Sequence, residues 1–304
     1  MTRALVLLAA YNGGAWIENQ VATILAQEEV EVRLVIGDDA SRDDTRDLIV
    51  SRFGNDERVC LLAWSEPSGS AGANFLRLMR TVDVSGFDLV ALSDQDDSWL
   101  PGKLAAAATA LLAHSAAGYS AAVRARWEDG SESVLTQCPR TRRADFLFEG
   151  AGQGCTFVLT RTFFERVQRF LSEAKVDMHF HDWMLYLLSR AWGERWVFDQ
   201  APWMEYRQHA GNDIGARGGS NGFMRRLEKI RDGWYADQIA KAVDVYRAAG
   251  GSDRQVVSLA QALRKRPDRT TLANWALAWT LLRMGRRRVA DRIVLVAAVL
   301  ARWI

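Results

Sequence analysis

Three stretches of the 304-residue chain place acids, amides and imidazoles where they could do chemistry. The densest is Ser93-Asp94-Gln95-Asp96-Asp97-Ser98-Trp99. Its carboxylates repel one another, and an opposing charge relieves that repulsion. A hard divalent cation such as Mg²⁺ or Mn²⁺ takes a few oxygen ligands and keeps positions open for phosphate oxygens. The plainer alternative is a solvated acidic loop before a helix, with Asp97 and Ser98 facing the helix dipole. A second stretch joins Tyr11-Asn12-Gly13-Gly14 to Asp38-Asp39-Ala40-Ser41-Arg42-Asp43-Asp44-Thr45. Glycine turns let backbone approach a ligand closely, and an acid there accepts from a ribose or a base N–H. Ser41 or Asp43 suits a helix cap near Asp44, but capping leaves Asp38 and Asp39 unexplained. The third is His181-Asp182-Trp183, followed by Tyr206-Arg207-Gln208-His209 with Asn212 and Gly215. A partly desolvated acid between a histidine and a tryptophan suits a general base, and equally an N-terminal dipole partner for the helix it opens. His179 and His181 are two apart, a spacing that does not bring them together on a helix, and they are not read as a metal pair. His209 by itself reads as a structural histidine.

The elements around these stretches alternate. Leu5–Ala10, 32–36, 59–63 and 87–92 are buried-strand candidates. Helical periodicity fills 15–27, 44–53, 72–82 and a run opened by Pro101-Gly102 and ending near His114. This rhythm predicts an α/β fold with a mainly parallel sheet, and such sheets bind ligands beyond the carboxyl ends of their strands. Both acidic clusters fall at such ends. Residues 119–210 interleave short strand candidates (120–123, 133–135, 155–159, 196–198 and 203–206) with helices near 162–174 and 181–191, which suits a sheet extension carrying an acceptor pocket. Gly150-Ala151-Gly152-Gln153-Gly154 reads either as close approach to a ligand or as a plain turn. From Asn221 onward the pattern is helical, with breaks at Gly250-Gly251, Pro267 and Gly285.

Charge divides the chain. Residues 216–304 hold 18 Lys/Arg and 7 Asp/Glu, a net of +11; against totals of 39 and 37, residues 1–215 hold 21 and 30, a net of −9. A basic terminal part suggests an anionic partner. Arg264, Lys265, Arg266, Arg283, Arg286, Arg287, Arg288, Arg292 and Arg302 alternate with apolar residues, a pattern that fits residues near 283–304 lying on the inner, anionic leaflet of a membrane. A dimer interface, and so a homo-oligomer, is the other reading. No aromatic–basic recognition module points to nucleic acid. Hydrophobic residues at 49% and charged residues at 25% fit a soluble globular protein. The longest clean apolar run, 293–301, is too short to span a bilayer, which takes about 20 residues. The opening apolar run reads as a strand rather than a signal peptide. The 3 cysteines show no zinc or disulfide pattern and suggest a reducing, cytoplasmic setting.

The strings AAYNGGAWIENQVATILAQ, GDDASRDDT, SDQDDSWLPGKL, GAGQGCTFVLTR, HDWMLYLL and YRQHAGNDIG, taken together, resemble the family 2 glycosyltransferases of the GT-A fold, and most of all their bacterial rhamnosyltransferase-like branch. The resemblance implies a GT-A domain over residues 1–215, with nucleotide-sugar binding in about 1–115 and acceptor and catalytic functions in about 116–215, followed by a basic helical region over 216–304. It implies that Asp39, with Tyr11, Asn12, Asp94, Asp97 and Arg207, meets the nucleotide-sugar donor. Asp94 and Asp96 match the Asp-x-Asp signature, with Asp96 the foremost metal ligand, Asp97 supporting, and His209 helping to hold the metal or diphosphate. Asp182 matches the base, and His181 stands where many relatives carry an acid. Acceptor binding falls on Gly152, Gln153 and Gly154. Trp99 and Trp183, beside the acidic motifs, are expected to line the sugar cleft, because aromatic faces suit the apolar faces of sugars.

Such a donor leaves as a diphosphate whose charge a divalent metal stabilises, so the second carboxylate of a glycosidase can be dispensed with. One base then deprotonates the acceptor hydroxyl, which predicts displacement with inversion. L-Rhamnose from a dTDP donor is the first expectation, resting on the resemblance around DQDD and YRQH, and a glycan or lipid-linked glycan of a surface polysaccharide is the expected acceptor. A UDP-hexose donor is the alternative within the class. A sugar nucleotidyltransferase would want a basic residue in the first glycine turn, and Tyr11–Gly14 has none. A non-catalytic glycan-binding protein would have no use for the acid cluster and Asp182 together.

Overall fold

The computed structural model describes residues 1–208, 228, 230–264 and 270–304. The alternation predicted for the first third is present. Strands β1 (Thr2–Ala10), β2 (Val30–Asp38), β3 (Val59–Ala63) and β4 (Leu89–Ser93) are mutually parallel in the order β3-β2-β1-β4. Helices α1 (Ile17–Leu25), α2 (Thr45–Phe53), α3 (Ala71–Thr81) and α4 (Lys103–His114) connect them and lead on from β4. Every residue from Ala4 to Ala10 is buried, as a central strand covered on both faces requires. Leu5, Leu7 and Ala9 join one core while Ala4, Val6, Leu8 and Ala10 join the other, so the two-residue period of one strand separates two hydrophobic layers.

Beyond β4 the sheet is mixed. β8 (Val158–Thr160) runs antiparallel to β4 and to β6 (Gly118–Trp127), and β9 (Trp196–Gln208) runs parallel to β6. β7 (Glu132–Leu135) is an outer partner of β6. Two segments predicted at 196–198 and 203–206 are one strand, whose register shifts against Ala121–Arg124 carry it past Pro202. The two-residue strand β5 (Ser98–Trp99) was not anticipated. It pairs with Met204 and Glu205 and binds the acidic loop to the far edge of the sheet. The strand predicted from Cys155 begins only at Val158, and residues 154–156 form a single 3₁₀ turn.

Helices α5 (Arg161–Glu173) and α6 (His181–Ala191) are followed by α7 (Trp234–Ala248), α8 (Arg254–Arg264), α9 (Thr271–Met284) and α10 (Val289–Leu300). These last four share the core of the preceding fold: Ile239, Val243, Leu259, Leu281 and Leu295 are buried in the cluster that contains Phe146 and Tyr186. Several arginines expected to face an anionic surface turn inward instead. Arg287 is 5% exposed and Arg292 7%. Arg286 and Arg287 pair with Glu149, Arg287 donates to the Gly150 carbonyl at 2.6 Å, and its guanidinium lies over the Tyr186 and Phe198 rings. A buried guanidinium needs such partners, and Glu149 supplies the countercharge.

Asp145 anchors α6 from below. It is fully buried, accepts from Arg190 and from the Tyr186 hydroxyl at 2.9 Å each, and receives the Arg142 backbone N–H. Removing one partner of a buried ion pair strands the other, at about 3–5 kcal/mol. Asp145→Ala should therefore lower the thermal midpoint by roughly five to eight degrees, measured by calorimetry; an unchanged midpoint would show that the pair adds nothing.

Candidate active site

The two glycine and acid turns that follow β1 and β2 are stitched together. Asn12, at φ +49°, donates its backbone N–H to Ser41 Oγ and accepts from the Arg42 N–H through Oδ1. Gly13 and Gly14 donate to Thr45 Oγ1 and Asp43 Oδ2. Ser41 therefore does not cap α2, whose N-cap position is Asp44 without a side-chain bond, while Asp43 receives the Thr45 N–H at 3.1 Å. Tyr11 is 46% exposed, and its backbone is gripped from the acidic loop: Gln95 accepts from its N–H at 2.8 Å and donates to its carbonyl at 3.0 Å. A Cβ at Gly13 would collide with that Gln95 side chain. Gln95 is a positioning group that the sequence reading passed over inside the acid run.

Asp38 and Asp39 divide their duties. Asp38 is fully buried and pairs with Arg46 while accepting the Ser41 N–H. Asp39, 4% exposed, accepts the Ser68 N–H and hydroxyl and lies 3.5 Å from Arg77. Both sit at the carboxyl end of β2, two strands from Ser93, a spacing of about 10 Å.

At the end of β4 the carboxylates crowd together. Asp97 is 1% exposed and Asp96 8%, while Asp94 is partly exposed. Burial pushes the Asp97 carboxyl well above the usual range, and the Asp96 and Asp94 charges push it further. Its Oδ1 receives the Arg207 backbone N–H at 3.3 Å, while its Oδ2 is buried without a hydrogen-bond partner. Arg207 also donates from Nε to the Asp96 carbonyl, so the end of β9 closes over the loop. Among the described residues, the acid and thiol ligand atoms that gather within 4.8 Å of one another belong to Asp94, Asp97 and Cys155, a set that omits Asp96. Burial and the two carboxylates push the Cys155 thiol well up, so it remains S–H at neutral pH beside Asp97. A hard cation suits the carboxylate oxygens of this set and the unpartnered Oδ2, and not a protonated thiol. His209 lies outside the described residues.

Beneath the loop is Lys103, fully buried, its ammonium without a hydrogen-bond partner and 3.4 Å from the centre of the Trp99 ring. Burial pulls it down to about 7, against the attraction of Cys155 and Asp97. Lys103 and Cys155 both escaped the sequence reading. The one available signal was a single lysine opening an otherwise apolar helix, KLAAAATALLA.

Asp182 reaches this cluster through the 3₁₀ turn. It lies in the first turn of α6, is partly exposed, and accepts the Trp183 N–H at 2.7 Å. Burial raises its carboxyl to about 6, opposed by the backbone N–H groups of Trp183, Asp182 and Gly154. Gly154 thus touches Asp182, and the next residue, Cys155, touches Asp97. The neighbouring His181 stacks on Phe75 at 4.1 Å and is pulled down to about 3 by burial, so it is a neutral wall and no proton donor. Gly152 holds φ +128°, and Gln153 receives a hydrogen bond from Gln137, which fixes the outer part of the same loop. The tryptophans depart from expectation. Trp99 is 3% exposed against Lys103, and Trp183 is 5% exposed, donating to the Phe146 carbonyl at 2.7 Å. Both are packed inside; β5 pairing and the Phe146 carbonyl hold them there, and neither offers a ring face to a sugar.

A methyl group at Gly154 would lie 2.7 Å from His181 Nε2 and 3.1 Å from Asp182 Cβ. Gly154→Ala should displace Asp182 and lower kcat at least tenfold while the fold persists; unaltered kcat would separate Gly154 from the positioning of Asp182.

The fold agrees with comparisons to known proteins. The sequence pattern of Glycosyl transferase family 2 matches residues 5–184. A Shigella flexneri protein described as dTDP-rhamnosyl transferase RfbG is 33% identical over 238 residues, covering 77% of this chain and 82% of that one. The crystal structure of S. aureus TarS 1-349 in complex with UDP-GlcNAc superposes with a TM-score of 0.59 at 13% identity, over 100% of this chain and 89% of that one. The longer S. aureus TarS gives 0.54 at 15% identity, over 99% and 55%. At these identities the structures speak to the fold alone, which is GT-A. With the family pattern spanning strands β1 to β4, the acid loop and the start of α6, this chain belongs to glycosyl transferase family 2.

Proposed function

We propose that this glycosyltransferase moves L-rhamnose from dTDP-L-rhamnose to a hydroxyl of a glycan or lipid-linked glycan during surface polysaccharide synthesis, with inversion, on the cytoplasmic side of the membrane. Residues 1–215 form the catalytic part in this reading and 216–304 a helical extension. The relative described as a dTDP-rhamnosyl transferase supports the donor. The observation that carries the mechanism is Asp182, raised to about 6 and joined through Gly154 and Cys155 to the carboxylates at the end of β4. A group of that affinity is mostly ionised at neutral pH yet still a useful proton acceptor.

In this reading Asp182 takes the acceptor proton as the hydroxyl attacks the anomeric carbon. Asp39, Tyr11 and Asn12 hold the nucleotide end, and Arg207 secures the acid loop. Asp94 and Asp96, with Asp97 behind them, would hold a Mg²⁺ or Mn²⁺ ion, which when bound offsets the charge of the leaving diphosphate. Gly152–Gly154 forms the floor on the acceptor side. A UDP-hexose donor remains the second reading, because the aligned TarS structure carries UDP-GlcNAc.

A thermal-shift screen of nucleotide-sugars with and without Mn²⁺ tests donor and metal together. The expected outcome is metal-dependent stabilisation by dTDP-rhamnose, lost in Asp96→Ala; equal stabilisation without metal would remove the metal from the account.

Asp182→Asn should retain that donor stabilisation and lose kcat by about 10²–10⁴. Wild-type kcat/KM should fall about tenfold per pH unit below 6. Near-normal turnover by Asp182→Asn would withdraw the base assignment.

Asp182 also makes a stability prediction. Its folded affinity for the proton exceeds the unfolded one, 3.8, so the folded state binds more protons between about pH 4 and 6 and loses stability as pH rises through that window. Asp182→Asn should therefore be more stable than wild type at pH 7.5, by on the order of 2 kcal/mol, and the two should converge below pH 4. A variant less stable at pH 7.5 would contradict the buried-acid description.

A further inference from the structure

We infer that the outer face of α9 is a docking surface for an anionic lipid bilayer. Leu272, Trp275, Trp279 and Leu282 recur at spacings of three and four, so they form one stripe along the helix. They are exposed at 82%, 61%, 63% and 39%. The opposite face, Asn274, Leu277, Ala278 and Leu281, is buried in the fold, so the outer stripe is not a core awaiting closure. Two tryptophans and two leucines facing water on a 14-residue helix are unusual for a solvated surface, where scattered apolar residues are the norm. No Asp or Glu occurs from 269 to 290, while Arg283 is exposed at the end of the stripe and Arg288 follows on the adjoining turn. Val289 and Ile293, at 62% and 57%, add exposed apolar residues on α10.

This composition matches an interfacial helix: indole rings at headgroup depth, leucines in the acyl boundary, arginines toward lipid phosphate. The helix is about 21 Å long, and no helix among the described residues is long and apolar enough to cross a membrane, so α9 would lie along the surface. Charge selects the occupant. Arg283 and Arg288 are exposed beside the stripe and no acid occurs from 269 to 290, so the rim of this face is cationic. A second copy seated on this face would bring like charge to like charge, whereas an anionic bilayer neutralises it. The surface differs from the one the arginine pattern suggested. Arg287 and Arg292 are held inside, Arg286 is partly exposed and paired with Glu149, and α9, which carries one charged residue, makes the contact.

The inference goes beyond the catalytic reading and is read without donor, so failure of one leaves the other standing. The experiment is co-sedimentation of the full chain with vesicles of phosphatidylcholine containing 30% phosphatidylglycerol, against pure phosphatidylcholine vesicles. Wild type should partition at least tenfold more strongly to the anionic vesicles. Trp275→Ser/Trp279→Ser should lose at least tenfold of that partitioning with an unchanged thermal midpoint and unchanged transfer to a soluble acceptor. Absence of wild-type binding, equal partitioning to both vesicle types, or equal binding by the double variant would each overturn the proposal. So would a concentration-dependent dimer, seen by light scattering, that the double substitution abolishes while vesicles go unbound.

Discussion

The structure turns on charge held in a dry place. Asp97 lies at 1% exposure with Asp94 and Asp96 beside it, and one of its oxygens has no hydrogen-bond partner. Protein interiors disfavour such a group unless it is protonated or meets a cation. The surroundings only partly answer the demand: an Arg207 backbone N–H, a Cys155 thiol, and a Lys103 ammonium held over Trp99 and itself depressed to about 7. The raised affinity of Asp97 for a proton supplies full relief in the unliganded chain, and under the proposed function a divalent cation would supply it when bound.

That crowded corner is also tied to Asp182. β4 ends in the acid loop, β8 pairs with β4, and the turn before β8 carries Gly154 and Cys155. One residue faces Asp182 and the next faces Asp97, so Asp182 and the acid cluster are separated by a single backbone step. The C-terminal helices hold the other side of this turn. Arg286 and Arg287 grip Glu149 and the Gly150 carbonyl, just before the loop enters the site. The helical region is thereby mechanically continuous with the 150–154 loop, and a face of it that meets lipid would hold that loop at a set height above the membrane.

Much of this was readable in the chain. The acid run after a buried strand, the glycine turns and the isolated Asp182 stood out because their residue types are costly without a use. The β-α alternation located the ends of β1 to β4 to within three residues. What escaped depended on partners far away in sequence. A two-residue strand such as β5 carries no periodic signal, and it exists because Met204 and Glu205 lie opposite. Trp99 and Trp183 look like cleft residues beside acidic motifs, yet β5 pairing and the Phe146 carbonyl take them inside. Arginines at 286, 287 and 292 follow a basic amphipathic pattern, and only Glu149 and the carbonyls of Gly150 and Leu282 reveal that 287 and 292 are buried and 286 is tied to Glu149. Lys103 and Cys155 are single residues whose meaning arises from what lies across the sheet.

The most direct test is a crystal structure with Mn²⁺ and a thymidine diphosphate nucleotide, the ion located by its anomalous scattering. The account predicts one manganese peak, within about 2.2 Å of a carboxylate oxygen of Asp94, Asp96 or Asp97, with the terminal phosphate pointing toward Asp182 across an open gap. A nucleotide bound with no manganese at these carboxylates, or with its phosphates directed away from Asp182, would contradict it.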